Sequence, residues 1–201
     1  MAKLILIRHG ESAGNRARVF GDDPHSLPLT PLGYQQAREA AHTVGAQFQA
    51  EIVVSSPFIR ARETARVIAE YLAVPLSLEP QLFERDVGLH RGKSYDSLYQ
   101  APDYSESERF TWRPPGGESY EDVRTRVAPV LDRIARHHLG RDVVVVSHGG
   151  VMMALWAHVA GRWEQAHAPP NCGIVIIEHD AAGYRPPQLV GAARSVVDTG
   201  G

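Results

Sequence analysis

Leu4-Ile5-Leu6-Ile7-Arg8-His9-Gly10-Glu11 is the stretch whose reading decides the fold. Four consecutive aliphatic residues predict a strand buried on both faces, as in a parallel sheet covered by helices. The strand runs straight into an arginine, a histidine and a glycine. Such groups are costly to place at the mouth of a buried strand, so their presence needs a reason. Val143-Val144-Val145-Val146-Ser147-His148-Gly149-Gly150 repeats the pattern far downstream. Two histidines, each before a glycine and each after an aliphatic run, are hard to read as ordinary structural residues.

Between these strands the signals alternate. Gly14 to Phe20 reads as a short helix or loop, and Gly21-Asp22-Asp23-Pro24-His25 as a turn. Thr30-Pro31 opens a helix, Thr as N-cap and Pro at the first helical position, with Ala37, Ala41, Val44 and Phe48 on one face. Ile52-Val53-Val54 predicts a strand. Ser56-Pro57 reads as the cap and first residue of a second helix, striped by Phe58, Ala61, Ala65, Ile68 and Leu72. Arg60 and Arg62 fall in its first turn, where the helix dipole disfavours cations, so at least one serves another purpose. Arg62 suits solvated surface. Leu76 to Leu78 is a further short strand. Ser119 caps a helix, with Asp122 as capping-box partner, Val123, Val127, Val130 and Ile134 facing a core, and a kink expected at Pro129. A nearly all-apolar helix follows from Gly149 to Ala160, and Ile174 to Ile177 is the last clear strand.

This alternation predicts an α/β fold, a three-layer α/β/α sandwich with a largely parallel central sheet. Residues 80–118 break the rhythm with interleaved aromatics and charges, which we read as a cap-like insertion over the carboxyl-end rim. The 201 residues suit a single domain. A net charge of −2 offers no basic field for nucleic acid or an anionic membrane. No run approaches the roughly 20 apolar residues of a membrane span. Leu4 to Ile7 is too short for a signal-peptide core, and the lone Cys172 allows no internal disulfide, so a cytoplasmic protein is expected. Asp198 to Gly201 reads as a frayed tail.

In open α/β sheets ligands bind beyond the carboxyl ends of the strands. Arg8-His9, Ser55 to Arg60 and Ser147-His148-Gly149 all fall there. Two arginines, two imidazoles and a helix N-terminus make an anion site suited to phosphate. A neutral imidazole can attack phosphorus, and a second histidine can stabilise the charge that develops. The leaving oxygen needs a proton, for which Glu84 and Glu118 are both candidates. No compact carboxylate cluster suggests a metal.

These residues resemble the histidine phosphatase (phosphoglycerate mutase-like) superfamily. Arg8-His9-Gly10-Glu11 with Asn15 is similar to its signature, and Ser55 to Ala61 with Thr64-Ala65 to its second arginine motif. Glu84 with Gly88 and Gly92 resembles the acid-bearing segment, and Pro115-Gly116-Gly117-Glu118-Ser119 a segment common in its phosphatases. Ser147-His148-Gly149-Gly150 resembles the second-histidine motif. The resemblance runs from Leu4 to about Val151. It implies that His9 becomes phosphohistidine, that Arg8, Arg60 and His148 hold the phosphoryl group, and that Glu84 is the acid. It also implies that Asn15 and the Gly149 amide add hydrogen bonds, and that neither metal nor other cofactor is required. Mutases of the family carry a tryptophan where this chain has Gly14, and Glu-Arg-His-Tyr-Gly where it has Glu84-Arg85-Asp86-Val87-Gly88. A phosphatase acting on a small phosphorylated metabolite is therefore favoured over a cofactor-dependent phosphoglycerate mutase, and both over a non-catalytic phospholigand binder. Specificity is expected in Asp86 to Trp112, with Arg91, Tyr104, Arg109, Trp112 and the adjoining Arg113 as its notable residues. Tyr104, Phe110 and Trp112 otherwise suit packing, His25, His90, His137, His138 and His167 suit the surface, and Cys172 suits the entry to a buried strand. The Gly149 helix reads as core or as a homodimer interface.

Overall fold

The computed structural model describes residues 1–190. The tail at Asp198–Gly201 lies outside the described residues. Among the described residues seven strands form one sheet. β1 (Ala2–Arg8) lies beside β4 (Asp142–Ser147), β4 beside β2 (Ala50–Ser55), and β2 beside β3 (Leu76–Leu78), all parallel. On the other side of β1 the direction reverses. β5 (Ile174–Asp180) pairs antiparallel with β1, and the short β6 (Gly183–Tyr184) and β7 (Gln188–Val190) pair with β5. Two short strands thus follow the one expected to be last.

The register explains the layers. Leu4 pairs with Val143 and Ile5 with Val144, so adjacent strands present matching faces. Leu4, Leu6, Val143, Val145, Val175 and Ile177 pack against α5 (Tyr120–His137) and α6 (Gly149–Ala160). Ile5, Ile7, Val144, Val146, Ile174 and Ile176 pack against α2 (Pro31–Gln47) and α3 (Ile59–Leu72). That is the expected three-layer sandwich, with unbroken aliphatic strands because both faces are covered. Leu6 is 1% exposed, and truncating such a side chain to alanine costs about 2–5 kcal/mol. α6 is part of this core, through Val151, Met152, Ala154, Leu155, Trp156 and Ala157.

The helix starts follow their caps, with one exception. Thr30 Oγ1 accepts from Gly33 N–H at 3.1 Å and Pro31 opens α2. Ser119 and Asp122 form the expected capping box of α5, which continues unbroken past Pro129. α3, however, begins at Ile59, with Phe58 as an N-cap that lends no side chain. Ser56 is not the cap, because its hydroxyl is engaged by His148. α1 (Ala13–Ala17) settles the helix-or-loop alternative after Gly10 as a short helix, capped by Ser12 and Asn15. Between β3 and α5 the chain forms 3-10 turns and one short helix, α4 (Asp96–Tyr99). No helix among the described residues is long and apolar enough to cross a membrane.

Candidate active site

Parallel pairing of β2, β4 and β1 brings three carboxyl ends to one rim. Arg8 pairs with Ser147, so the two histidines each follow a paired residue, and His9 N–H donates to Ser147 O at 2.9 Å. The imidazole centroids are 5.2 Å apart. The backbone that carries His9 is fixed on every side. Its carbonyl accepts from Asn171 Nδ2 at 2.9 Å, Arg8 O accepts from Cys172 N–H at 3.0 Å, and Gly10 N–H donates to Thr64 Oγ1 at 3.0 Å. Gly10 leaves no room for a side chain, since a Cβ there would stand 2.5 Å from Gly33 O.

His9 is 3% exposed. Its Nδ1 donates to Gly10 O at 2.7 Å, and Arg60 Nε donates to its Nε2 at 3.2 Å. A carbonyl can only accept and a guanidinium can only donate, so both neighbours demand one tautomer, with the proton on Nδ1 and the lone pair on Nε2. Burial first, then the positive charge of Arg60, hold the His9 pKa well below its ordinary value. The nucleophile candidate is therefore a neutral imidazole. Burial also lowers the pKa of Arg60, an effect opposed by Glu84.

His148 is fully buried beneath this pair and does not itself line the cavity. Burial, then Arg60, hold its pKa well below the ordinary value too. Its Nε2 lies 2.7 Å from Ser56 Oγ, which accepts from Phe58 N–H at 3.3 Å. In the tautomer where the hydroxyl gives its proton to Nε2, the imidazole proton sits on Nδ1. That Nδ1 is buried and without a partner among the described residues. Arg8 donates from Nη1 to Pro169 O at 2.8 Å, while its Nε is likewise buried and unpartnered. Arg8 and His148 thus bring two buried, unpartnered nitrogens to the ends of the paired strands β1 and β4.

The cavity above them measures about 500 Å³. Arg8, His9, Asn15, Arg60, Glu84 and Gly149 all line it. Asn15 Oδ1 accepts from Ser12 and Asn171, and its Nδ2 donates to Tyr95 Oη at 3.2 Å. Glu84 accepts from Arg85 N–H at 2.7 Å and from Gly150 N–H at 3.2 Å, at the start of α6. Glu118 is elsewhere. It grips Arg126 with both oxygens and accepts from Asp86 N–H at 3.0 Å, tying the 80–118 segment to α5. Of the two acid candidates only Glu84 faces the cavity.

Other residues depart from the expectations. Tyr104 and Arg109 line the cavity, but Arg91 and Arg113 pair outside it with Asp86 and Asp122, and Trp112 is buried against Val87 and Leu98. Phe110 stacks on Trp163. Arg62 is half-buried rather than solvated, and so are His90 and His138. His167 is exposed but lines the cavity mouth. Cys172 precedes β5 as expected, its thiol pKa pushed up by burial to about 12. Sequence reasoning gave Ser56 only a capping role and Thr64 only a place in a motif, and gave Asn171 no part; their bonds to His148, Gly10 and His9 join residues distant in the chain. It gave none to Tyr120 and named Arg85 only as part of a motif. Among the described residues no three His, Cys, Asp or Glu side chains group closely enough to hold a metal ion.

Residues 4–189 match the family described as "Histidine phosphatase superfamily (branch 1)". The chain belongs to the histidine phosphatase superfamily. This histidine phosphatase is 32% identical over 166 residues to a metal-independent phosphoserine phosphatase of Arabidopsis thaliana, covering 79% of this chain and 69% of that one. It is 33% identical over 197 residues to a protein named probable phosphoglycerate mutase GpmB of an Enterobacter species, covering 92% and 88%. Among solved structures it is similar to a mycobacterial glucosyl-3-phosphoglycerate phosphatase in complex with VO3, at 26% identity and a TM-score of 0.82, over 93% of this chain and 96% of that one. A mutant phosphoserine phosphatase of Entamoeba histolytica, solved with phosphoserine, superposes at 25% identity and a TM-score of 0.78, over 94% and 95%. The histidine phosphatase described here is accordingly a phosphomonoesterase on an open, mixed α/β sheet.

Proposed function

We propose that the protein hydrolyses phosphomonoesters of small metabolites through a phosphohistidine on His9. The observation that carries this reading is the neutral His9, its Nε2 lone pair turned to Arg60 inside the cavity that Glu84 also lines. The phosphoryl oxygens meet Arg8 Nε, the Arg60 guanidinium, His148 Nδ1–H, the Asn15 amide and the Gly149 N–H at the start of α6. His9 Nε2 attacks phosphorus. The N–P bond forms, the bond to the ester oxygen breaks, and Glu84 gives its proton to the leaving alcohol. Water then attacks the phosphohistidine, Glu84 takes a proton from it, and the N–P bond breaks to free orthophosphate and His9. The two arginines supply the positive charge against which charge develops in both steps. The 80–118 segment acts as the cap of this site within a single domain. A cytoplasmic setting suits a metabolite substrate and a chain with a single cysteine.

The mutase alternative has support in the relatives named probable phosphoglycerate mutase. Against it, Gly14 and Val87, which stand where mutases carry larger side chains, both line the cavity. The test is orthophosphate release from phosphorylated metabolites in EDTA, by the intact chain and by His9→Ala, with acid-quench trapping of the phosphoenzyme. Release and label that vanish together in His9→Ala support the phosphatase. Conversion of 3-phosphoglycerate to its 2-isomer with 2,3-bisphosphoglycerate and little release makes it a mutase. A binder takes no label at all.

A further inference from the structure

Residues 161–173, between α6 and β5, lie beyond the stretch from Leu4 to about Val151 that carries the motifs, yet the short segment 169–172 holds three residues of the site. Pro169 O accepts from Arg8 Nη1 at 2.8 Å. Cys172 N–H donates to Arg8 O at 3.0 Å. Asn171 Nδ2 donates to His9 O at 2.9 Å and to Asn15 Oδ1 at 3.1 Å. The backbone beside it is strained. Cys172 has φ 54°, in the left-handed region that residues other than glycine rarely adopt. Such a conformation persists only where the surroundings hold it. Asn171 does not line the cavity over His9. It lines a second one, of about 590 Å³, together with Pro169 and Cys172. It is therefore set back from the reacting atoms and can act only through the residues it holds.

A carboxamide can be held either way round, and the roles of its partners decide which. A main-chain carbonyl only accepts, so His9 O fixes the NH2 of Asn171 toward itself. An NH2 has two hydrogens, and the second goes to Asn15 Oδ1. Asn15 is thereby fixed in turn. Its Oδ1 also accepts from Ser12 N–H and Ser12 Oγ, each at 3.1 Å. Reversed, the Asn15 NH2 would meet the N–H donors of Asn171 and Ser12, and its oxygen would meet the phosphoryl oxygens. Held as it is, Asn15 Nδ2 gives one hydrogen to Tyr95 Oη and has no other partner among the described residues. Its second hydrogen is left for a ligand in the cavity that Asn15 lines. Ser12 caps the same short helix as Asn15 and moves with it. Asn171 instead ties the carboxamide to the main chain of the nucleophile.

We infer that Asn171 is a positioning residue: it fixes the Asn15 carboxamide relative to His9, with the N–H end toward the phosphoryl group. This rests on the phosphatase reading above and adds a residue to it. One side-chain nitrogen bridges the peptide of the nucleophile and the side chain that holds a phosphoryl oxygen, so phosphorus is presented to His9 Nε2 at a set place. Rate responds steeply to such placement, because an error of about 1 Å at the reacting atoms can cost about 10²-fold.

A double-mutant cycle in the full-length chain tests this, with inorganic phosphate as the bound probe and p-nitrophenyl phosphate as the substrate. Calorimetry reads phosphate affinity and steady-state kinetics reads kcat/KM. Asn171→Ala is expected to weaken phosphate binding about fivefold and to lower kcat/KM about tenfold. In an Asn15→Ala background the same change should cost less than about twofold in either, because the group it positions is gone. Asn171→Ser takes the place of the alanine variant if that chain does not fold. Nuclear magnetic resonance adds a signature that stability alone would not move. The Asn15 side-chain N–H signals, assigned by their absence in Asn15→Ala, should shift with phosphate in the parent and lose that shift in the Asn171 variant. Equal costs in the two backgrounds overturn the inference, as does an Asn171 variant that binds phosphate like the parent or keeps the shift. A parent without measurable phosphate affinity overturns it too. Turnover is scored separately: a parent that binds phosphate but hydrolyses no ester sinks the phosphatase reading, while the cycle in phosphate affinity still decides the role of Asn171.

Discussion

Gly150→Ala puts the assignment of Glu84 to its hardest test. Gly150 sits in the first turn of α6, and its N–H holds Glu84 Oε2 at 3.2 Å. A Cβ added there would stand 2.5 Å from Glu84 Oε1, and ordinary contact begins at 3.4 Å, so the oxygen must retreat by about 0.9 Å. The atom that gives way is the far end of a flexible side chain, so the fold should survive. An acid misplaced by about 1 Å can lose about 10²-fold in rate, within the 10²–10⁴-fold that general-acid catalysis supplies. We expect kcat/KM on an alkyl phosphate such as 3-phosphoglycerate to fall about 10²-fold, about 2.7 kcal/mol of transition-state stabilisation. Nitrophenolate departs with little help from a proton. On p-nitrophenyl phosphate the loss should therefore stay under about tenfold. The assay is steady-state kinetics on both substrates, with thermal melting to verify the fold. Equal losses on both would mean that the alanine disturbs the phosphoryl pocket and not the acid. No loss on either would remove Glu84 from the reaction.

Glu118→Gln and Glu84→Gln should behave as opposites: the first loses stability by about 1–3 kcal/mol in chemical denaturation while kcat stays within about threefold, and the second loses about 10²–10⁴ in kcat with little change in stability. Ser56→Ala strips His148 Nε2 of its partner, and about a tenfold fall in kcat with about 1–3 kcal/mol of destabilisation is expected from kinetics and urea titration. Acidification should unfold the protein through His9 and His148. Their pKa values are lowered in the folded state, so the unfolded chain takes up protons first; stability is whole above the ordinary value of 6.5 and is lost as pH falls below it. Two such groups approach about 2.7 kcal/mol per pH unit, and denaturation between pH 6.5 and 5 should show this slope roughly halved in His9→Gln.

The aliphatic strands and their two histidine endings were legible because burial on both faces leaves so little freedom of composition. The reversal at β5 was not, since Ile174 to Ile177 reads alike in either direction. Ser56-Pro57 satisfied every local rule for a helix start. The local rule lost to a contact 92 residues away, because the Ser56 hydroxyl binds His148. Glu84 and Glu118 were indistinguishable for a similar reason: both lie in the loosely patterned 80–118 segment, and only the fold shows that Arg126 occupies one of them. Asn171 stands beyond the last motif, and its bonds to His9 and Asn15 are a property of three-dimensional neighbours alone.

The pairing of β1 with β4 also determines what kinds of change the catalytic centre can undergo. Its two imidazoles are spaced by neighbouring strands of the central sheet, whose separation is set by main-chain hydrogen bonds rather than by side chains. Error there is quantised. A slip of one residue carries a histidine about 3.3 Å along and turns it to the opposite face, so no series of small steps leads from a good pair to a slightly worse one. The wall contributed by residues 80–118 is under no such constraint, and its side chains can be exchanged singly and by degrees. Chains built on this plan can therefore drift in what they admit to the cavity while the bond they attack stays the same.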